Sequence, residues 1–189
     1  MQPEPFYLVT GPHRSGTSMM MRTLRDSGLP INYVQEADYQ LANTIKLVDK
    51  SYAPNPFGFF EKGRFEQGKA VKRIARALLS TKLPGPAHIV RMSRPKAERK
   101  QSLSKWGFKG SEMLVRLEEA DFLQKFYNVN RDNILSITRV EYADMVSYPL
   151  VELNRLVEAG WNLPNIEEGA KVPSPELYRH RGSASRVQL

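Results

Sequence analysis

Phe6-Tyr7-Leu8-Val9-Thr10-Gly11-Pro12-His13-Arg14-Ser15-Gly16-Thr17-Ser18 joins an apolar, β-branched run to a glycine-bounded turn and then to helix-forming sequence. Phe6 to Thr10 fits a buried strand of a parallel sheet. From Thr17 to Asp26 the apolar residues Met20, Met21 and Leu24 fall at helical spacing, and Gly28 stands where a helix stop is expected. Gly11 and Gly16 have the five-residue offset of a phosphate-binding loop, with Thr17 and Ser18 where such loops usually carry lysine and a hydroxyl residue. Glycine at both ends lets successive backbone N–H groups converge on an anion, and a helix starting at Thr17 adds partial positive charge. Arg14 supplies, from inside the loop, the cation that the missing lysine would have given.

Working outward, residues 29–60 are interrupted by tyrosine, proline, asparagine and glycine, and read as a functional loop region with a short helix near Leu41 to Asp49. Glu66 to Leu79 shows helical spacing at Val71, Ile74 and Leu78, with basic residues between, before Pro84-Gly85-Pro86 breaks it. Ala87 to Met92 is a second strand, followed by Pro95 at the first turn of a helix reaching about Ser104. Glu112 to Phe126 reads as an amphipathic helix and Asn133 to Thr138 as a third strand. Pro149 to Ala159 follows as a helix with Leu150, Leu153, Leu156 and Val157 along one face and Gly160 as its stop. Alternating strands and helices predict an α/β fold, a parallel sheet flanked by helices with right-handed crossovers, in a P-loop nucleotide-binding architecture.

A length of 189 residues with 41% hydrophobic content suits one domain, residues 1–189, ending in a basic C-terminal segment from 162 to 189. The chain has no cysteine, which excludes a disulfide framework and thiolate chemistry, and its three histidines are scattered too widely for metal-ligand spacing. No signal peptide and no run of eighteen apolar residues is visible, so a soluble, cytoplasmic protein is expected. The net charge of +8 suits polyanions of several kinds. Aromatics interleaved on an exposed sheet or a recognition helix, the marks of nucleic-acid binding, are not found.

Arg14-Ser15-Gly16-Thr17-Ser18 resembles the donor-binding loop of the sulfotransferase family, in which a basic residue and Ser-Gly-Thr-Thr or Ser-Gly-Thr-Ser hold the 5'-phosphosulfate of 3'-phosphoadenosine-5'-phosphosulfate. Arg94-Pro95, with Ser102 down the next helix, resembles the family's 3'-phosphate site, and Arg91 is a second candidate for that role. Arg139-Val140-Glu141-Tyr142, Pro149 and a leucine-rich helix resemble its late strand and following helix, with Val140 where the family often has tyrosine. Leu177-Tyr178-Arg179-His180-Arg181-Gly182 resembles a basic closing segment, which implies a nucleotide contact for Arg181. The resemblance runs from end to end, most weakly in the middle third. It implies a transferase that uses this donor and an unidentified acceptor, with Arg14, Ser15, Gly16, Thr17, Ser18, Arg94, Ser102 and Arg181 binding the donor. No metal, nucleic acid or membrane is implied.

Sulfuryl transfer needs oriented anionic oxygens, neutralised charge on the leaving phosphate and a base near the acceptor. Asn55-Pro56-Phe57-Gly58-Phe59-Phe60-Glu61 resembles a Gly-aromatic-aromatic-Glu element of many bacterial-type members, and Glu61 is the candidate base. Aromatic neighbours would raise its pKa by desolvation, whereas a glutamate at a helix start would only favour the dipole. His13, inside the loop, is the other catalytic candidate. Phe57, Phe59, Phe60 and Trp106 are read as core before acceptor pocket. An ATP-dependent small-molecule kinase and a nucleotide-binding module without catalysis are the alternatives; Thr17 in place of lysine, and no Asp ending the Ile89 to Ser93 strand, count against the kinase.

Overall fold

A computed structural model describes residues 4–32, 64–74, 78, 81–104 and 121–174. The expected helix near 41–49, Glu61 with its aromatic neighbours, Trp106 and Arg181 lie outside the described residues. Among the described residues four strands, β1 (Phe6–Gly11), β2 (Ala70–Ile74), β3 (Ala87–Ser93) and β4 (Ile134–Glu141), form one parallel sheet in the order β2-β1-β3-β4. The helices are α1 (Thr17–Asp26), α2 (Lys96–Ser104), α3 (Asp121–Asn130), α4 (Tyr142–Ser147), α5 (Pro149–Glu158) and α6 (Ile166–Ala170).

β1 is buried along its whole length, between β2 and β3, so both its faces read as apolar. On one face Tyr7, Val9, Val90, Met92 and Val140 pack against Met20, Met21 and Leu24 of α1 and Leu153 and Leu156 of α5. On the other Phe6, Leu8, Val71 and Ile89 pack against Leu123 and Phe126 of α3. Alternate residues of each strand therefore serve different layers, the period-two rule that lets one sheet carry helices on both sides.

The helix expected from Glu66 to Leu79 is corrected: its centre is β2, and residues 75–77 and 79–80 lie outside the described set. Ala70, Val71 and Lys72 are buried in succession. An amphipathic helix cannot bury three consecutive residues on one stripe, but a strand covered on both faces does so. Five residues of β2 pair in register with Tyr7 to Gly11, which satisfies their backbone groups. β3 and the helix after Pro95 stand where expected, with the Pro95 carbonyl accepting from Arg99 N–H at 3.1 Å. The late strand runs further than expected, from Ile134 to Glu141, with Asn133 in a 3₁₀ turn before it. On α5 only Leu153 and Leu156 of the four expected apolar residues are buried; Leu150 and Val157 are over 40% exposed. Gly160, at φ 97°, ends that helix as expected.

Candidate functional site

All four strands end at one edge of the sheet, the place where parallel α/β folds present their ligand-binding loops. There β1 runs into the Gly11–Gly16 turn and α1 begins at Thr17. The turn closes through Ser15 N–H donating to the Pro12 carbonyl at 3.2 Å, and Met20 N–H reaches the Gly16 carbonyl at 3.0 Å. Gly16 adopts φ 100°, and a Cβ there would strike the ring of Tyr142 at the start of α4. A Cβ on Gly11 would fall 2.5 Å from both the Met92 carbonyl and Ser15 Oγ. Arg14 takes a left-handed φ of 66°, rare for a residue with a side chain and the kind of strain that collects at ligand clamps.

Ser15 Oγ is buried and makes no hydrogen bond among the described residues. A buried hydroxyl without a partner, beside convergent N–H groups at a ten-residue helix, fits an oxyanion. Thr17 is buried at the first helical position and Ser18 half-buried beside it.

Three cations converge on this turn. Arg14 Nε donates to Ser102 Oγ on α2 at 2.9 Å, linking residues 88 positions apart. Arg94, just past β3, donates Nε to Glu98 Oε2 at 2.9 Å in a pair whose side chains are 8% and 6% exposed. Its Nη1 lies 3.5 Å from the Arg14 carbonyl, and its guanidinium sits 4.3 Å over the Tyr142 ring. Lys72 of β2, 3% exposed, donates Nζ to Ser18 Oγ at 3.2 Å. Burial first, and the charge of Arg94 second, pull the Arg14 guanidinium below its ordinary pKa. Each of these favours an arriving anion, which would relieve crowded positive charge in a poorly solvated place. Burial pushes the Tyr142 phenol above the ordinary tyrosine value, against the pull of Arg94 and Arg14.

Arg14, Ser15, Gly16, Thr17, Ser18, Arg94 and Ser102 are thus brought together, and His13 occupies the same turn, half-buried. Arg91 is not with them. It faces the layer opposite α1, while Arg94 leaves the strand end and folds over Tyr142. Val140 is core, and the aromatic ring that borders the turn comes from Tyr142, two residues later. Lys72 and Tyr142 are functional candidates that sequence reasoning passed over. Lys72 was hidden in a segment read as a helix; its position directly after two buried strand residues is the signal that marks it.

No family model and no curated protein matches this chain. Solved structures do. The sulfotransferase domain of the Synechococcus PCC 7002 olefin synthase superposes with a TM-score of 0.54 at 13% identity, covering 95% of this chain and 84% of that one. Sulfotransferase STF9 from Mycobacterium avium gives a TM-score of 0.54 at 13% identity, over 96% of this chain and 70% of that one. At such identities the likeness is one of architecture: this chain has the sulfotransferase fold.

Proposed function

We propose that this chain transfers a sulfuryl group from 3'-phosphoadenosine-5'-phosphosulfate to a hydroxyl or amine acceptor, as a cytoplasmic single-domain enzyme. The observation that carries this reading is the 2.9 Å bond from Arg14 Nε to Ser102 Oγ, with Arg94 beside it. It draws the β1–α1 turn and α2 to one point, as a nucleotide bearing anions at both the 5' and 3' positions requires. The sulfotransferase fold of the chain supports the same choice.

In this reading the turn N–H groups, Ser15, Thr17, Ser18 and Arg14 hold the 5' oxyanions, while Arg94, Ser102 and Arg181 recognise the 3'-phosphate. Lys72, bonded to Ser18, adds positive charge on the side of the turn facing β2. Arg14 and the turn N–H groups, with Lys72 beside Ser18, neutralise the leaving 5'-phosphate electrostatically, the task magnesium performs beside a triphosphate. The donor supplies an activated sulfur. The acceptor oxygen or nitrogen bonds to that sulfur, the bond from sulfur to the bridging phosphate oxygen breaks, and its electron pair leaves with the 5'-phosphate. Glu61 takes the acceptor proton, with His13 the second candidate.

Calorimetric titration with adenosine 3',5'-bisphosphate and with AMP tests the reading. A charge-assisted contact to the 3'-phosphate makes the bisphosphate roughly ten- to a hundredfold tighter. Equal affinities would remove the 3'-phosphate site, and with it the choice of donor.

A further inference from the structure

The layer opposite α1 changes character partway along the strands. Its inner rows are apolar, with Leu8 between Val71 and Ile89 and Ile137 beyond. Two residues closer to the functional edge, the strand register sets Arg73, Thr10, Arg91 and Arg139 side by side in one row. Arginine on three of four neighbouring strands, in one row of one face, is poor packing for a core and good chemistry for an anion.

Inside that row the polar groups are unsatisfied. Arg91 Nε and Thr10 Oγ1 are both buried and make no hydrogen bond among the described residues; Thr10 is fully enclosed. Tyr127, on the last turn of α3 and packed against the layer of Leu8 and Ile89, brings a second buried hydroxyl with no hydrogen bond among the described residues. Two orphaned donors on paired residues, with a third on the helix that covers their sheet face, are costly unless something oxygen-rich sits among them. At the row's ends Arg139 is held by Glu141 and Ser93, and Arg73 lies 5.5 Å over the Phe65 ring. The centre of the row is where the unanswered donors gather.

We propose that Arg91, Thr10 and Tyr127 form a second oxyanion site, on the sheet face opposite α1, which takes an acidic group carried by the acceptor. The ligand chemistry is a sulfate, phosphate or carboxylate oxygen cluster, bound by one guanidinium N–H and two hydroxyls. Its assignment to an acceptor rests on the transferase reading; the site itself does not.

The experiment titrates inorganic sulfate, and separately acetate, into the full chain by calorimetry in an Arg14→Ala background, which disables the β1–α1 turn. Sulfate binding that persists there, and falls roughly tenfold or more on adding Arg91→Gln, is the expected result. Thr10→Val, which keeps the side-chain shape, weakens it in the same direction and guards against a folding defect in the Arg91 variant. No sulfate binding in Arg14→Ala, or binding that neither substitution changes, overturns the site. Tighter acetate than sulfate identifies a carboxylate acceptor, and the reverse a sulfated or phosphorylated one. With acidic acceptors Arg91→Gln then raises KM and leaves kcat near its original value. A chain that binds sulfate through Arg91 but shows no preference for adenosine 3',5'-bisphosphate would keep this site and lose the donor assignment.

Discussion

The functional edge of the sheet carries cations on both faces, but they are held differently. On the α1 face Arg14 is bonded to Ser102, Arg94 to Glu98 and Lys72 to Ser18, so each head group has a partner that fixes its direction. On the opposite face Arg91 Nε and Thr10 Oγ1 have none among the described residues. The first arrangement is preorganised, and an anion arriving there meets donors already aimed. The second stores an unfavourable state that a ligand removes. Preorganisation is what transition-state stabilisation demands, whereas an orphaned site suits recognition.

The difference between the two faces shows most strongly in catalysis. If the α1 face is where bonds change, Glu61→Gln lowers sulfuryl transfer by roughly 10²–10⁴-fold while calorimetric donor binding stays near wild type. Turnover near wild type in that variant removes Glu61 and moves His13 to the front.

Arg94→Ala tests the partnered cations through stability. It takes from the buried Glu98 carboxylate its 2.9 Å ion-pair partner, which costs about 3–5 kcal/mol in denaturant unfolding. Arg94→Ala with Glu98→Ala together recovers part of that loss, because the carboxylate that lost its arginine is gone. Loss of discrimination between the bisphosphate and AMP accompanies both. A cost below 1 kcal/mol for the single variant would show the pair to be no anchor.

Gly16→Ala follows, with a loss of about 1–3 kcal/mol, since the position has a left-handed φ and its Cβ meets Tyr142. Adding Tyr142→Ala relieves the overlap but not the backbone strain, so only part of the midpoint returns.

These elements were legible to different degrees, for physical reasons. β1, the turn and α1 were clear because local signals coincide there: a β-branched run, two glycines and a 3.6-residue apolar period within twenty-one residues. β2 was not, because Val71, Ile74 and Leu78 fall at helical spacing, and only its pairing with β1, 63 positions away in the chain, makes the segment a strand. Lys72 was lost with it. Arg91 and Arg94 looked alike in sequence as two basic residues near a strand end. What separates them is that one lies within the strand on the face that α3 covers, and the other lies beyond it, paired with Glu98 and folded over Tyr142. The contact of Tyr142 with Gly16 joins residues brought together by tertiary packing alone.

Smaller effects sharpen the unpartnered side. Thr10→Val replaces an orphaned buried hydroxyl by a methyl of similar shape, and without ligand it is neutral or stabilising by up to about 1 kcal/mol in thermal unfolding. Destabilisation there would mean that the hydroxyl has a partner after all. His88, near the start of β3, stacks 5.7 Å from Tyr7 and shares a 2.8 Å hydrogen bond with Ser136. Burial lowers its pKa, so the folded chain prefers the neutral ring. Its contribution is present above the unfolded histidine value near 6.5 and is lost as pH falls below it. His88→Asn flattens that part of the profile in unfolding midpoints measured from pH 7.5 to 5.

β3 alternates Ile89, Val90, Arg91 and Met92 between the two layers, and this has a consequence for how the chain finds its register. A slip of one residue against β1 would turn the Arg91 guanidinium into the apolar layer of Met20, Met21 and Leu24 and push Met92 out of it. Burying an unpaired charge among methionine side chains costs far more than any backbone pairing could return. The arginine in β3 thus acts as a register mark, making the alignment shifted by one residue far less favourable than the native one.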